Sequence, residues 1–277
     1  SLPSICLGAG VAFGHNPPAT TAQAQAILVN YRIPHHALVS WWLDATAMLK
    51  ILFVAAALFL IRKSRLFPLL FIPTLIAVGL TLAQVFTQSK FLALIFPWRL
   101  STWIVPLSVA LLLAFGVTHL LDRFPTPAAR YQRLLAGLSL VILSLAVVIG
   151  AVRFKLDLDR KANEDDTRMM AFVAARHAPG ETYLTPVKLQ DFRLATGSPV
   201  YIDFKSIPYR DSDVLEWYRR NQLANRFYKK IDCDLLSSMA AEVHITHVIL
   251  ESADFGRACS GLQLLYHDEY YGVYALR

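Results

Sequence analysis

The chain has 277 residues, of which 55% are hydrophobic and only 17% are charged, with a formal net charge of +7 and a mean hydropathy of +0.43. Soluble domains contain about 25% charged residues, so this composition excludes an ordinary soluble protein. Collagen-like, disordered and disulfide-scaffold classes are also excluded, because Gly, Pro and Cys are few and apolar residues are many.

The charge is unevenly distributed along the chain. Residues 1–153 contain 11 of the 27 Lys and Arg residues but only two of the 20 Asp and Glu residues, Asp44 and Asp122. Residues 154–277 are slightly acidic and have the composition of a globular domain. Several basic residues of the first part fall in short loops between apolar runs. The basic pI therefore indicates membrane topology and not binding to nucleic acid.

Residues 1–44 precede the first complete apolar segment. Residues 1–13 are apolar but lack the basic start of a signal peptide, so they are typical of the end of a membrane span. We therefore expect residues 1–44 to contain an outer loop and the end of an earlier span. On this interpretation, the chain is the C-terminal part of a longer polytopic protein.

Four apolar stretches within residues 45–153 predict a transmembrane region of four helices, since crossing a bilayer takes about 17–25 residues. The stretches are residues 45–61, 66–86, 101–121 and 134–152. Basic residues cluster between the first two stretches and again between the last two. The positive-inside rule makes these loops cytoplasmic and places residues 14–44, residues 87–100 and the tail outside.

Residues 154–277 alternate helical and strand-like patterns, which predicts an extracytoplasmic α/β domain. The predicted helices are residues 166–176, 212–229 and 233–242, with Asp211 or Ser212 as the N-cap of the second. The predicted strands are residues 182–184, 200–203, 246–251, 262–267 and 271–276. Cys233 and Cys259 lie on a side where disulfides persist, and either a disulfide or two unpaired thiols fit the sequence.

The predicted outer face carries the first candidate site. Arg32, His35 and His36 precede two adjacent tryptophans, and two imidazoles can bind a metal or transfer protons near neutral pH. Arg99 lies at the outer end of the third apolar stretch, where its planar guanidinium suits a phosphate. The structural alternatives are interfacial anchoring for the first group and an arginine that reaches lipid headgroups for Arg99.

A second candidate site lies in the tail. Lys205 and Tyr209 fall between the predicted strand at 200–203 and the following helix, where open α/β sheets bind ligands. Arg193 is close to them in sequence. We expect these three residues to face an anionic group or a sugar. The alternative is a solvated loop whose charges have no ligand.

Residues 31–36, 97–101 and 203–220 resemble an uncharacterised bacterial family of polytopic membrane proteins, which is similar in architecture to GT-C type glycosyltransferases. The resemblance implies a lipid-phosphate-linked sugar as donor, with Arg99 binding its phosphate. On this hypothesis the rim of the active site is formed by Arg32, His35 and His36. The acceptor side is formed by Arg193, Lys205 and Tyr209. The catalytic Asp or Glu that such enzymes carry in the first outer loop has no match here, since Asp44 lies at a span boundary.

The sequence therefore predicts an α-helical membrane bundle of about four transmembrane helices, followed by an extracytoplasmic α/β domain, in a bacterial inner membrane. The expected function is that of an integral membrane glycosyltransferase-like protein, a C-terminal fragment that lacks the catalytic carboxylate. Its expected partner is a membrane lipid or a polyprenyl-phosphate sugar, and a divalent metal remains open as a cofactor. The alternative is a non-enzymatic, membrane-anchored protein with an extracytoplasmic binding domain.

Overall fold

A computed structural model describes residues 17–123 and 128–277 of the chain. The described residues form two compact units, one within residues 16–142 and the other within residues 143–277. Helices predominate, and the one sheet of the described residues has four strands and belongs to the second unit. The expected end of an earlier span, in residues 1–13, lies outside the described residues.

The first unit consists of short helices followed by long apolar ones. In chain order its elements are α1 (Pro18–Ile27), a π-helical turn (Leu28–Arg32), α2 (Pro34–Ala37), α3 (Val39–Trp42), α4 (Ala45–Ile61), α5 (Phe67–Thr87), α6 (Lys90–Ile95), a 3-10 helix (Pro97–Leu100), α7 (Ser101–Arg123) and the beginning of α8 (Ala128–Ala162). The last helix continues into the second unit.

Capping and small buried side chains determine how the apolar helices begin and pack. Helix α4 begins after Asp44, whose carboxylate accepts a hydrogen bond from the Ala47 amide at 2.7 Å. Such a cap satisfies one of the free N–H groups at a helix start. Ala57 and Leu70 belong to one buried cluster, which holds α4, α5 and α7 together. Most other apolar side chains of these helices are exposed, which is typical of surfaces that contact lipid.

Three helical stretches of the described residues are long and apolar enough to cross a membrane: Phe67–Thr87, Lys90–His119 and Arg133–Ala162. Helix α4 is apolar as well but has only 17 residues. These helices are compatible with an integral membrane protein, as predicted. The number of four spans stays a prediction, because length and composition alone identify three.

The second unit combines helices with the small sheet. After the end of α8 it contains α9 (Thr167–Arg176), β1 (Tyr183–Leu184), α10 (Phe192–Thr196), α11 (Asp211–Lys230), α12 (Cys233–Val243), β2 (His247–Glu251), a 3-10 helix (Ser252–Arg257), β3 (Leu262–His267) and β4 (Tyr271–Leu276). The strand order is β1-β2-β4-β3. Strands β1 and β2 are parallel, and the other two pairs are antiparallel.

Strand β2 is buried on both faces, and its side chains alternate between two cores. Val248 and Leu250 pack in one cluster with Phe227 of α11. Ile249 packs in the other cluster with Met169 of α9. Successive strand residues point to opposite faces, so helices must cover both sides of the sheet. This arrangement explains why the strand reads as a continuous apolar run.

Cys233 and Cys259 form a disulfide between residues 26 positions apart. Cys233 begins α12, and Cys259 follows the 3-10 helix. Cys259 is part of the same buried cluster as Phe227. Of the two alternatives that fit the sequence, the structure therefore has the crosslink.

The predicted strand at residues 200–203 was wrong. Val200 forms a single parallel bridge with Tyr183 of β1, and no strand continues from it. The Asp203 carboxylate then accepts hydrogen bonds from the Lys205 amide at 2.8 Å and the Ser206 hydroxyl at 2.6 Å. Such an Asx turn bends the backbone locally. The chain therefore leaves β1 before a second residue pair can form.

The predicted N-cap of the long tail helix was also wrong. Helix α11 begins at Asp211, so the capping position falls on Arg210, whose side chain makes no capping hydrogen bond. Asp211 and Asp213 lie within the first turn instead. Their negative charges favour the start of a helix through its dipole. Charge therefore takes the place of a side-chain cap at this end.

His247 is a buried histidine at the start of β2, where it is only 8% exposed. Burial lowers the pKa of its imidazole, although the nearby Glu181 carboxylate opposes the shift. Its Nδ1 lies 2.9 Å from the Thr246 hydroxyl, and its ring stacks on Tyr183. The folded second unit therefore favours the neutral imidazole.

We expect the sheet to lose stability as the pH falls below about 6.5, the ordinary pKa of histidine. Because the pKa of His247 is lowered in the folded state, the unfolded chain binds more protons in this range, and acid favours unfolding. The contribution is present above pH 6.5 and is lost as the pH falls through the folded pKa. Hydrogen exchange of the β2 amides, corrected for intrinsic exchange rates, measures this loss of stability. The substitution His247→Gln should make the stability of the sheet less dependent on pH. Equal slopes in the two proteins would contradict this account.

Candidate functional site

The residues predicted at the outer face come together in the first unit. The π-helical turn ends at Arg32, and α2 follows with both histidines. π-Helical turns are rare and often occur at functional sites. Two long-range hydrogen bonds hold α2 in place: Gln84 Nε2 donates to the Ala37 carbonyl, and Trp98 Nε1 donates to the His36 carbonyl, both at 2.7 Å. Helix α5 and the 3-10 helix therefore position the histidines.

Aromatic rings surround the imidazole of His36. Its ring stacks against that of Trp98, with 6.0 Å between the centroids and 28° between the planes. Trp98 in turn lies 5.6 Å from Trp42, and the ring of His35 lies 4.2 Å from that of His36. The orientation of His36 is thus determined by packing as well as by its backbone.

Arg99 is brought to the same place by an unusual backbone conformation. Phe96 has a φ of +53°, a left-handed conformation that is unfavourable for a bulky residue. The 3-10 helix begins directly after it, and the Arg99 guanidinium lies 4.7 Å from the centre of the Phe96 ring. The same ring meets His36 edge-on, with 6.2 Å between the centroids. This strained turn and the cation–π contact place an exposed guanidinium beside the histidines.

We call the group formed by Arg32, His35, His36 and Arg99 the cationic cluster. Its basic side chains surround the imidazole of His36. Burial is the main cause that lowers the pKa of His36, and the positive charges of His35, Arg99 and Arg32 lower it further. The lowered pKa favours the neutral form of His36 at neutral pH. An anion near His36 would reduce this repulsion.

The cluster has two histidines but no complete set of metal ligands. Among residues 17–123 and 128–277, no three or more His, Cys, Asp or Glu side chains are arranged to hold a metal ion. Zinc sites use three or four protein ligands. His35 and His36 alone therefore do not make such a site within the described part of the chain.

The second unit contains a cleft of about 480 Å³ beside the first half of α11. The other wall is formed by residues 197–203, together with Ser206 and Pro208. Trp217 joins the two walls, since its indole N–H donates to the Asp203 carbonyl at 3.0 Å. The charged residues of the cleft are Arg193, Asp203, Asp213, Glu216 and Arg220.

An ion-pair network fixes the charges on the helical wall of the cleft. Glu216 accepts hydrogen bonds at 2.7 Å from Arg219 Nε and from Arg220 Nε. The Arg219 bond is the main cause that lowers the pKa of Glu216 to about 2, and Arg220 adds to it against the effect of burial. Arg220 also lies over the ring of Tyr201, 5.5 Å from its centre. Glu216 therefore stays ionised and orients Arg220 in the cleft.

The structure brings one of the three predicted acceptor-side residues to the cleft. Arg193 lines it. The Lys205 ammonium pairs instead with the Asp191 carboxylate at 2.7 Å. Tyr209 is 83% exposed and is not part of the wall. The expected loop between a strand and a helix does border a cleft, but its polar lining comes largely from other residues.

Several residues that form the cationic cluster's surroundings and the cleft were not predicted from the sequence. Gln84 anchors α2, and its signal is a polar amide within an apolar stretch. Asp213, Glu216 and Arg220 are spaced three and four positions apart, which places them on one face of a helix. That spacing was the available signal for the helical wall. Tyr201 had no such signal, because it falls within the strand predicted at residues 200–203.

A family model described as a domain of unknown function (DUF6798) matches residues 164–224. The matched segment contains every residue that lines the cleft and ends within α11. Strands β2, β3 and β4 lie outside it. Comparison with curated proteins gave no match, and comparison with solved structures gave none either.

Proposed function

We propose that the chain is part of an integral membrane protein that binds the phosphate of a lipid-linked sugar at the cationic cluster, as the donor site of a GT-C type glycosyltransferase. The proposal rests on the partly buried His36, which has Arg99 beside it across the Phe96 ring and whose pKa the charges of Arg99 and Arg32 lower. A guanidinium presents planar, paired donors that fit a phosphate, and such charge-assisted hydrogen bonds are the stronger ones.

In the proposed reaction, an acceptor hydroxyl attacks the anomeric carbon of the donor sugar. The bond from that carbon to the phosphate oxygen breaks, and negative charge grows on the departing lipid phosphate. Arg99 stabilises this charge, and stabilisation that is strongest in the transition state accelerates the reaction. The acceptor proton needs a separate base. Asp44 is the carboxylate nearest in sequence to the histidines, and it is engaged as the cap of α4.

In the same proposal, the bundle has four spans, and both the cluster and the tail are extracytoplasmic. Arg62, Lys63 and Arg65 lie between α4 and α5, and positive charge favours the cytoplasmic side. The Cys233–Cys259 disulfide supports an outer location for the tail, because disulfides persist in oxidising compartments. The bacterial inner membrane provides such a compartment on its periplasmic side.

Replacing Arg99 with Ala tests the donor site. We expect the protein, purified in detergent, to lose about 90% or more of its co-purified polyprenyl-phosphate lipid, because a hydrogen bond to a charged group contributes about 1.5–3 kcal/mol and 1.4 kcal/mol corresponds to tenfold. Native mass spectrometry measures the bound lipid and identifies its headgroup. Arg99→Lys should retain an intermediate amount, since it keeps the charge but not the paired donors.

Arg62→Ala is the matched control for this experiment. Its guanidinium also lies over a phenylalanine ring, 4.1 Å from the centre of Phe59, and it is predicted on the opposite side of the membrane. The control should retain the lipid. Equal retention by Arg99→Ala would remove Arg99 from the donor site. Binding of ordinary phospholipid alone would mean a headgroup site and would contradict the donor.

A non-enzymatic anchored binding protein is the second candidate. Two facts favour it: the cationic cluster contains no carboxylate, and Asp44, the carboxylate nearest to it in sequence, caps α4. Membranes containing the full-length protein, supplied with a radiolabelled polyprenyl-phosphate sugar, separate the two candidates. Sugar transfer that is lost in Arg99→Ala supports the transferase. Lipid binding without transfer supports the anchored binding protein.

A further inference from the structure

The cleft of the second unit has polar groups of two kinds on its walls. Arg193 and Arg220 offer N–H donors. Asp203 and Asp213 offer carboxylate oxygens, which accept one hydrogen bond each from Lys205 and Ser206 at Asp203 and one from Ser212 at Asp213, and each such oxygen has a second lone pair. Arg220 pairs with Glu216 through its Nε, and it forms no ion pair with any other acidic side chain of the described residues. Arg193 makes no ion pair within the described residues either. The cleft therefore has hydrogen-bonding capacity of both signs beyond what the fold uses.

Two buried hydroxyl groups strengthen this observation. Ser198 is fully buried and Tyr201 is 2% exposed, and both line the cleft. Within residues 17–123 and 128–277, neither Ser198 Oγ nor Tyr201 Oη has a hydrogen-bond partner. A buried polar group without a partner destabilises the fold, so such groups rarely occur without a reason. Ligand sites are one setting in which that capacity is used.

We propose that this cleft is a binding site for a saccharide of one or two units. A sugar ring presents hydroxyls that both donate and accept hydrogen bonds, which suits a cleft lined by guanidinium, carboxylate and hydroxyl groups. The volume of about 480 Å³ falls within the range of about 300–1,000 Å³ that is typical of small-molecule sites.

This site is independent of the proposed donor site. It is formed by residues 193–220 of the second unit, and none of its residues belongs to the cationic cluster. Arg99→Ala should therefore leave sugar binding in the cleft unchanged. The lipid measurement on Arg99→Ala therefore tests the donor site alone, and the sugar-binding measurement tests the cleft alone.

Saturation-transfer NMR with glucose and glucuronate tests the site in the full-length protein. Lipid nanodiscs replace sugar-headed detergents, which would compete. We expect transfer to at least one of the two sugars at millimolar concentration. Glucose alone indicates a neutral saccharide, and a preference for glucuronate indicates an acidic one. No transfer to either sugar at tens of millimolar would overturn the proposal, and so would displacement of glucuronate by an equal concentration of acetate.

Arg193→Ala should weaken binding of whichever sugar binds by about tenfold, which corresponds to one lost hydrogen bond from a charged group. Arg226→Ala is the matched control. Arg226 lies further along α11, is 71% exposed in its side chain and does not line the cleft, so its removal changes the net charge equally. An equal loss in both variants would mean that only overall charge matters and would contradict the site.

Tyr201→Phe removes one buried hydroxyl without changing the packing of the ring. We expect sugar binding to weaken about threefold to tenfold, as for the loss of one neutral hydrogen bond, while hydrogen exchange of β2 stays within twofold of the wild type. The free energy of unfolding should not decrease, because this hydroxyl makes no hydrogen bond among the described residues. Faster exchange together with unchanged sugar binding would show a structural hydroxyl and would contradict its role in the site.

Discussion

Phe227→Ala is expected to lower the free energy of unfolding of the second unit by about 3–5 kcal/mol, the usual cost of truncating a buried phenylalanine. Phe227 is fully buried on α11, in the same cluster as Val248 and Leu250 of β2. Its removal leaves a cavity between the helix and the sheet. Domains of this size are stable by only about 5–15 kcal/mol, so the loss is a large fraction of the total. Hydrogen exchange of the β2 and β4 amides in the full-length protein measures it.

Leu194→Ala is the matched control for Phe227→Ala. Leu194 is also a large apolar residue on a tail helix, but it is 84% exposed. Its truncation should change the stability by no more than about 0.5 kcal/mol. If the two variants exchanged β2 amides at the same rate, Phe227 would not be part of the cooperative core of the sheet.

Removing the disulfide with the double substitution Cys233→Ser and Cys259→Ser should destabilise the second unit by about 3–4 kcal/mol. The estimate follows from the separation of 26 residues, because a crosslink restricts the unfolded chain according to the length of the closed loop. Serine keeps the size close to that of the thiol, so most of the loss comes from the missing crosslink. The same exchange measurement on β2 and β4 reports it.

A reductant provides the control for this prediction. Dithiothreitol should bring the wild-type protein to the exchange rates of the double variant, while the variant itself should not respond. Cys6→Ser should behave like the wild type with and without reductant. The disulfide would be contradicted if the reductant left the exchange rates of the wild-type protein unchanged and if its peptide map lacked the Cys233–Cys259 crosslink.

The sequence was most informative where one local pattern determined the element. The strands at Leu262–His267 and Tyr271–Leu276 were predicted with the observed bounds, and so was α4 at Ala45–Ile61. Apolar runs bounded by turn residues or by a capping Asp leave few alternatives. At residues 200–203 the same reasoning failed, because the side chain of Asp203 closes a turn that competes with strand pairing. Competition between a side chain and the sheet is not visible in hydrophobic periodicity.

The two candidate sites differ in how much of each could be predicted from the sequence. Arg32, His35 and His36 are neighbours in the chain, and Arg99 was found as a charge beside an apolar stretch. The contacts that position them, from Gln84 and Trp98, join residues 47 and 62 positions apart. The cleft likewise joins a loop to a helix through a distant pair, Trp217 and Asp203. Such long-range pairing depends on tertiary packing, which a single sequence does not specify.

The order of strands in the sheet has a consequence for biosynthesis. Strand β4 is the last of the four to leave the ribosome, yet it lies between β2 and β3 and supplies a neighbour to both. Until it is made, the apolar run of β2 has a partner only in the two residues of β1. The tail therefore completes its sheet only after synthesis has passed Leu276. The Cys233–Cys259 crosslink joins residues that are synthesised before β4. Oxidation can therefore precede completion of the sheet and can restrain the partly synthesised domain until β4 has paired.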